Sequence, residues 1–282
     1  MTPFDRVIIA DWSASATPSP ARPSENAIWI GTHGGGGGQT AYYRTRAEAE
    51  AALLKTVQES NGRTLIGFDF PMGYPVGFAA RLTGRAHARA VWEWLAAHLQ
   101  DGPKNRNNRF QIANQINARF GTGPFWGRPG TLHLPHLPEK KDVDYPLLGL
   151  SERRQVETEV PRAQPVWKLY TTGAAGSQGL MGQPMIHRLS QHPGVAVWPF
   201  DLPDAPVVLA EVYPSLLAPA VAADPASIKD EAQVRLLSRA LYALSQRGQL
   251  KPLFATHGPP ITTEEGWILG AGHEAALAGA LT

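Results

Sequence analysis

The sequence predicts an α/β fold built on a partly parallel sheet, and three observations carry that prediction. VIIAD at 7–11, LIGFD at 65–69 and VVLAE at 207–211 each set four apolar residues before an acid. Uninterrupted runs of this length suit strands buried on both faces, as in the parallel part of an α/β sheet. The intervening stretches show helical periodicity, and a glycine-centred turn marks a hairpin.

The elements are taken in chain order. VIIAD is the first strand. NAIWIGTH and QTAYYRT flank GGGGG at 34–38 and form the hairpin. A phosphate cradle in those glycines would need a helix directly behind it, and the next segment is a strand. Thr45 and Glu48 have capping-box spacing and open a helix with Ala49, Leu53, Leu54 and Val57 on one face, ended by Asn61 and Gly62. TLIGFDFP is the next strand. From 73 to 206 the pattern changes to helices near 84–100 and 106–120, a Pro-rich loop, a Gly-rich stretch, a short helix at 184–189 and the run VAVWPF. This reads as a large helical and loop insertion, or subdomain, between core segments 1–72 and 207–282. VVLAEVYP resumes the core, a helix spans 227–246, and the tail packs one more short helix.

Composition limits the function classes. The 282 residues contain no Cys, which excludes disulfides, thiol nucleophiles and thiolate metal sites, so any metal is held by oxygen or imidazole. No apolar run approaches the roughly 18 residues of a membrane span. The N-terminus puts an acid and a base ahead of only four apolar residues, too few for a signal-peptide core, so a cytoplasmic location is expected. With 26 Lys and Arg against 24 Asp and Glu, charge alone does not announce nucleic acid. GxSxG, HExxH and GxxxxGK[ST] do not occur. His133 and His136 lie in LHLPHLPE, where Pro prevents the helix that would align them.

If the three runs are parallel, Asp11, Asp69 and Glu211 emerge at the carboxyl edge, where α/β sheets bind ligands. A fourth acid comes from the last long helix. At 100° per residue, Val234, Leu237, Leu241 and Leu244 form a stripe that includes Asp230. A carboxylate on a core-facing stripe is costly unless paired, protonated or bound to a cation, and oxygen ligands favour Mg²⁺ or Mn²⁺. Each acid also has a structural explanation: strand-end turns for Asp11 and Asp69, a surface ion pair for Glu211, and a capping box from Ser227 for Asp230.

IIADWSAS, IGFDFPMGYP, LAEVYP and IKDEAQVRLLSRAL, in that order, resemble the DUF429 family of predicted nucleases with a ribonuclease H-like fold. The resemblance covers about 1–75 and 200–250. It implies a mixed sheet flanked by helices, antiparallel strands preceding parallel ones, with Asp11, Asp69, Glu211 and Asp230 as ligands of one or two Mg²⁺ or Mn²⁺ ions, catalytic through the metal and not as general bases. Related proteins often carry a second Asp three or four residues along the last helix, where this chain has Gln233 and Val234; Glu231 is the nearest substitute. Two metals would activate a water and steady the leaving oxygen of a phosphodiester displacement. Lys229 or Lys168 would stabilise the developing charge.

The substrate walls are sought in the middle segment. KNRNNRFQIANQINAR combines Lys104, Arg106, Arg109 and Arg119 with five Asn, among them Asn108, a composition able to contact phosphate and base edges; its alternative is an ordinary surface helix. WKLYTTGAAGSQGLMG places Ser177 and Gln178 among glycines whose backbone amides could hold an anion. The expected activity is metal-dependent phosphodiester hydrolysis of nucleic acid or another phosphate-bearing substrate. The alternatives are a phosphotransferase or ATPase of actin-like type, with Ser13 of DWSAS in a phosphate-binding hairpin, and a non-catalytic nucleic-acid or ligand-binding module.

Overall fold

The computed structural model describes residues 1–282 except Pro161, Ser227 and Thr256. Its strands are β1 (Arg6–Asp11), β2 (Ile28–Gly34), β3 (Gly37–Tyr43), β4 (Thr64–Phe68), β5 (Val195–Trp198) and β6 (Val207–Glu211). The helices are α1 (Arg46–Gln58), α2 (Phe78–Thr83), α3 (Ala88–His98), α4 (Arg109–Phe120), α5 (Tyr145–Leu148), α6 (Gln155–Glu159), α7 (Ala175–Ser190), α8 (Ala218–Ala222), α9 (Lys229–Gln246) and α10 (Glu274–Gly279). Among the described residues the strands form one mixed sheet in the order β3-β2-β1-β4-β6-β5. β2 is antiparallel to both of its neighbours, β3 and β1, whereas β1, β4, β6 and β5 run parallel. No described helix is long and apolar enough to cross a membrane.

The parallel strands are buried on both faces, which explains their unbroken apolar sequences. Alternate residues serve opposite layers. Val7, Ile9, Leu65, Val208 and Ala210 pack with Val234, Leu237, Leu241 and Leu244 of α9. Ile8, Ala10, Ile66, Phe68, Val207 and Leu209 pack with Leu53 and Val57 of α1, Trp92 of α3, and Met185, Ile186 and Leu189 of α7. The approach of α9 to β2 depends on Gly31, where a Cβ would lie 2.5 Å from the Val234 carbonyl oxygen. The α1 capping box forms in both directions, Glu48 N donating to Thr45 Oγ1 at 3.2 Å and Thr45 N to Glu48 Oε2 at 3.1 Å.

The middle segment departs from the sequence expectation in two ways. It has its own core, in which Tyr74, Phe78, Ile116, Phe125 and Trp167 pack together, but it also supplies β5 and α7 to the main sheet. Segment 73–206 is thus woven into the core, with VAVWPF contributing an edge strand. The Gly-rich stretch is also helix: α7 begins at Ala175 and runs through Pro184. Gly176, Gly179 and Gly182 stand three apart, on one side, and permit close packing. A Cβ at Gly182 would lie 2.3 Å from the Phe70 ring, and one at Gly176 would lie 2.4 Å from the Val166 carbonyl oxygen. Nearby, the expected 84–100 helix is α3, and Gly84, whose φ is +78°, separates it from α2, a short helix not among those expected from the sequence.

Candidate active-site cleft

Parallel register sets the floor of the site. Ala10 pairs with Phe68 and Phe68 with Glu211, so Asp11 at the end of β1, Asp69 just beyond β4 and Glu211 at the end of β6 share the carboxyl edge. Asp230, in the first turn of α9, comes down beside them from the covering layer. The helix is placed by its apolar stripe, as the periodicity predicts. The proposed cap at Ser227 lies outside the described residues.

Asp11 and Asp69 are in side-chain contact. Asp11 is only 9% exposed, and its carboxyl is held well above the usual range by burial first and then by Asp69 and Asp230, with Lys229 opposing. Asp69, half-buried, is pushed up to about 6 by loss of water and by Asp230, against the Trp12 amide that donates to its Oδ1 at 2.6 Å. Asp230 is raised by burial, while the Asn26 amide bonds its Oδ2 at 2.6 Å. Two touching carboxylates share a proton or a cation because like charges this close resist joint ionisation.

Glu211 is engaged differently. Arg154 meets it end-on, Nη2 to Oε1 at 2.6 Å and Nη1 to Oε2 at 2.8 Å, and Met72 N donates to Oε2 at 3.0 Å. Both oxygens are therefore occupied, and Glu211 does not fit the role of metal ligand that the resemblance implies. Nothing around position 154 in the sequence signals this pairing, which joins residues 57 apart.

A cleft of about 650 Å³ opens above the carboxylates, lined by Asp11, Ser13, Arg109, Ser177, Gln178 and Asp230 among others. A second cavity of about 280 Å³ adjoins it and includes Asp69, Glu211, Arg154 and Lys229. Gln178 and Gln233 line both. The chain therefore brings the α4 and α7 starts onto the wall facing the acids. Arg109 Nε donates to Ser177 Oγ at 3.0 Å, and Ser177 Oγ donates to the Leu169 carbonyl at 2.6 Å. Gln178 Nε2 donates to the Trp12 carbonyl at 2.7 Å, tying α7 to the β1 end. Burial lowers the Arg109 guanidinium to about 10, which leaves it charged at neutral pH. Tyr170 stands 47% exposed at the mouth and meets Phe110 edge-on.

Other proposed groups are placed elsewhere. Lys168 donates to the Thr172 carbonyl at 2.6 Å and lines neither cavity. Asn108 lines neither; its side chain accepts from Gln100 N at 2.8 Å just before α4. Glu231 turns to the sheet, accepting from Thr40 Oγ1 at 2.9 Å, whereas Gln233 faces the cleft. The DWSAS segment is a loop whose Ser13 and Ser15 carbonyls accept from Arg46 Nη1 at 2.8 Å each. Arg46 is itself buried and paired with Asp101. The loop joins the antiparallel strands β1 and β2, and it turns these two carbonyl oxygens onto an internal guanidinium.

Among the described residues, no three His, Asp or Glu side chains stand in an arrangement that could hold a metal ion. The donor set is a pair, Asp11 and Asp69, with Asp230 nearby. Hard oxygen donors are the ligand class that Mg²⁺ and Mn²⁺ prefer. Fold and site together define an α/β protein with a carboxylate-floored cleft at the carboxyl edge of its sheet. Compared with protein-family models, curated proteins and solved structures, the chain matches none.

Proposed function

We propose that the cleft is the active site of a metal-dependent phosphodiesterase acting on nucleic acid, on a ribonuclease H-like scaffold. The observation that carries the reading is the Asp11–Asp69 pair, two contacting carboxyl groups at the sheet edge with no guanidinium between them, faced by the charged Arg109. The strand order supports the scaffold, since an antiparallel hairpin precedes parallel strands as the resemblance implies. Asp11 and Asp69 would hold Mg²⁺ or Mn²⁺, and such an ion supplies a nucleophile by lowering the pKa of bound water.

The chain's own groups bind and orient the substrate. Arg109 presents a guanidinium to a phosphate, whereas the first-turn amides of α7 are taken by the Gly173, Lys168 and Ala174 carbonyls and hold no anion. Gln178, anchored on Trp12, fixes the distance from that wall to the carboxylates. Lys229, whose charge is felt at both Asp11 and Asp230, balances negative charge developing near them.

The test is cleavage of single- and double-stranded DNA and RNA with Mg²⁺ or Mn²⁺ by the wild type and by Asp11→Asn. The wild type is expected to cleave and the variant to be folded and inactive, because the amide keeps the shape but loses the charge. Absence of cleavage of every substrate, together with absence of a cation-induced rise in melting temperature, overturns the reading in favour of a binding module.

A further inference from the structure

Glu211 is the one strand-end acid at this edge that is closed to a cation, and the group that closes it comes from the middle of the chain. Arg154 stands at the start of α6 with its side chain 1% exposed. A guanidinium has five N–H donors in one plane. Here Nε donates to Glu157 Oε1 at 2.8 Å, Nη1 to Glu211 Oε2 at 2.8 Å and to the Glu265 carbonyl at 2.9 Å, and Nη2 to Glu211 Oε1 at 2.6 Å. Four donor directions end on three separate segments, so the group cannot swing aside without breaking several buried bonds. Bidentate contact also fills the paired in-plane positions through which a carboxylate would chelate a metal.

We infer, resting on the phosphodiesterase reading, that Arg154 is a built-in cation standing where a second metal would sit at Glu211, so that the site takes a single divalent ion at Asp11 and Asp69. Arg154 and Lys229 both line the cavity that joins Asp69 to Glu211 and bring positive charge to the place of a second ion, Arg154 sharing its own with Glu157. The presence of Gln233 on the cleft wall agrees with this, because an amide there adds no anionic ligand. Arg154 is a positioning residue: it holds Glu211, and through Met72 N the Phe70–Met72 turn, in place behind Asp69.

Mn²⁺ bound per chain, counted by electron paramagnetic resonance on the full-length protein, tests the inference without reference to turnover. The wild type is expected to bind one ion, Asp69→Asn none, and Glu211→Gln one with unchanged affinity. Arg154→Met, which leaves Glu211 uncovered, is expected to bind a second. If that variant does not fold, the Glu211→Gln count decides. Two ions on the wild type, loss of the ion in Glu211→Gln, or a folded Arg154→Met holding only one, overturns the inference and leaves the phosphodiesterase reading standing. A wild type that binds no ion and cleaves nothing overturns that reading, and the inference falls with it.

Discussion

Asp11 and Asp69 meet at the ends of neighbouring parallel strands, Asp69 N donating to the Ala10 carbonyl at 3.2 Å, and Asp69 raises the Asp11 carboxyl while the contact with Asp11 lowers that of Asp69. The backbone register fixes the pair, so the two acids cannot separate without unzipping β1 from β4.

Stability of the metal-free protein should therefore fall as pH rises from about 4 through about 6. Asp69 has a folded pKa of about 6, above its ordinary value of 3.8. The folded state binds the proton more tightly, and that advantage is lost as pH climbs through the folded value. The loss is on the order of 1–2 kcal/mol once the solvent that still reaches Asp69 is allowed for. Urea denaturation at pH 5 and pH 7.5 measures it. Asp11→Asn should flatten the dependence and stabilise the protein at the higher pH; a steeper dependence or a large destabilisation would contradict it.

Divalent cation should reverse the same penalty. Mn²⁺ at a hundred times its dissociation constant stabilises a one-site protein by about 2.7 kcal/mol. A rise in melting temperature of several degrees is expected in the wild type at pH 7.5 and none in Asp69→Asn. Ca²⁺ and Mg²⁺ titrations in the same assay report how selective the carboxylate pair is.

Arg109→Met should weaken binding of nucleic acid about equally for all sequences and reduce the slope of log affinity against log salt by about one, the signature of one lost phosphate contact. Met keeps packing against Phe110, over whose ring the guanidinium lies at 4.3 Å. Fluorescence anisotropy on a catalytically inactive Asp11→Asn background gives the slopes. An unchanged slope would remove Arg109 from the substrate wall.

Gly31→Ala should destabilise the fold by about 1–3 kcal/mol, because the added methyl meets backbone that cannot move aside locally. The nearest atom is the Val234 carbonyl oxygen at 2.5 Å. Displacement of α9 also moves Asp230 relative to Asp11, so cation affinity should drop alongside stability. Equilibrium unfolding and the Mn²⁺ melt on one sample check both; a neutral substitution would show that α9 sits further from β2.

The strand-end acids were legible in the sequence because the physics that buries a parallel strand on both faces removes every polar residue until the edge is reached. Asp11, Asp69 and Glu211 mark those edges, and the 3.6-residue stripe of α9 places Asp230 over them. The hairpin and the Thr45–Glu48 cap were legible for the same reason, as products of local chain chemistry.

Tertiary structure alone decided what each acid meets. Glu211 and Asp11 share one sequence pattern, yet Glu211 is neutralised by Arg154 while Asp11 faces another acid. That difference rests on side chains brought together across 57 residues from a segment with no periodic pattern, so no local signal records it. The same holds for α7, where glycines read as loop lie in a helix and are needed there because Phe70 and Val166 leave no room for a Cβ. The sequence by itself determined which residues reach the sheet edge, since burial is written along each strand. Only the folded chain decided their charge partners, because electrostatic pairing depends on distance in space and not along the chain.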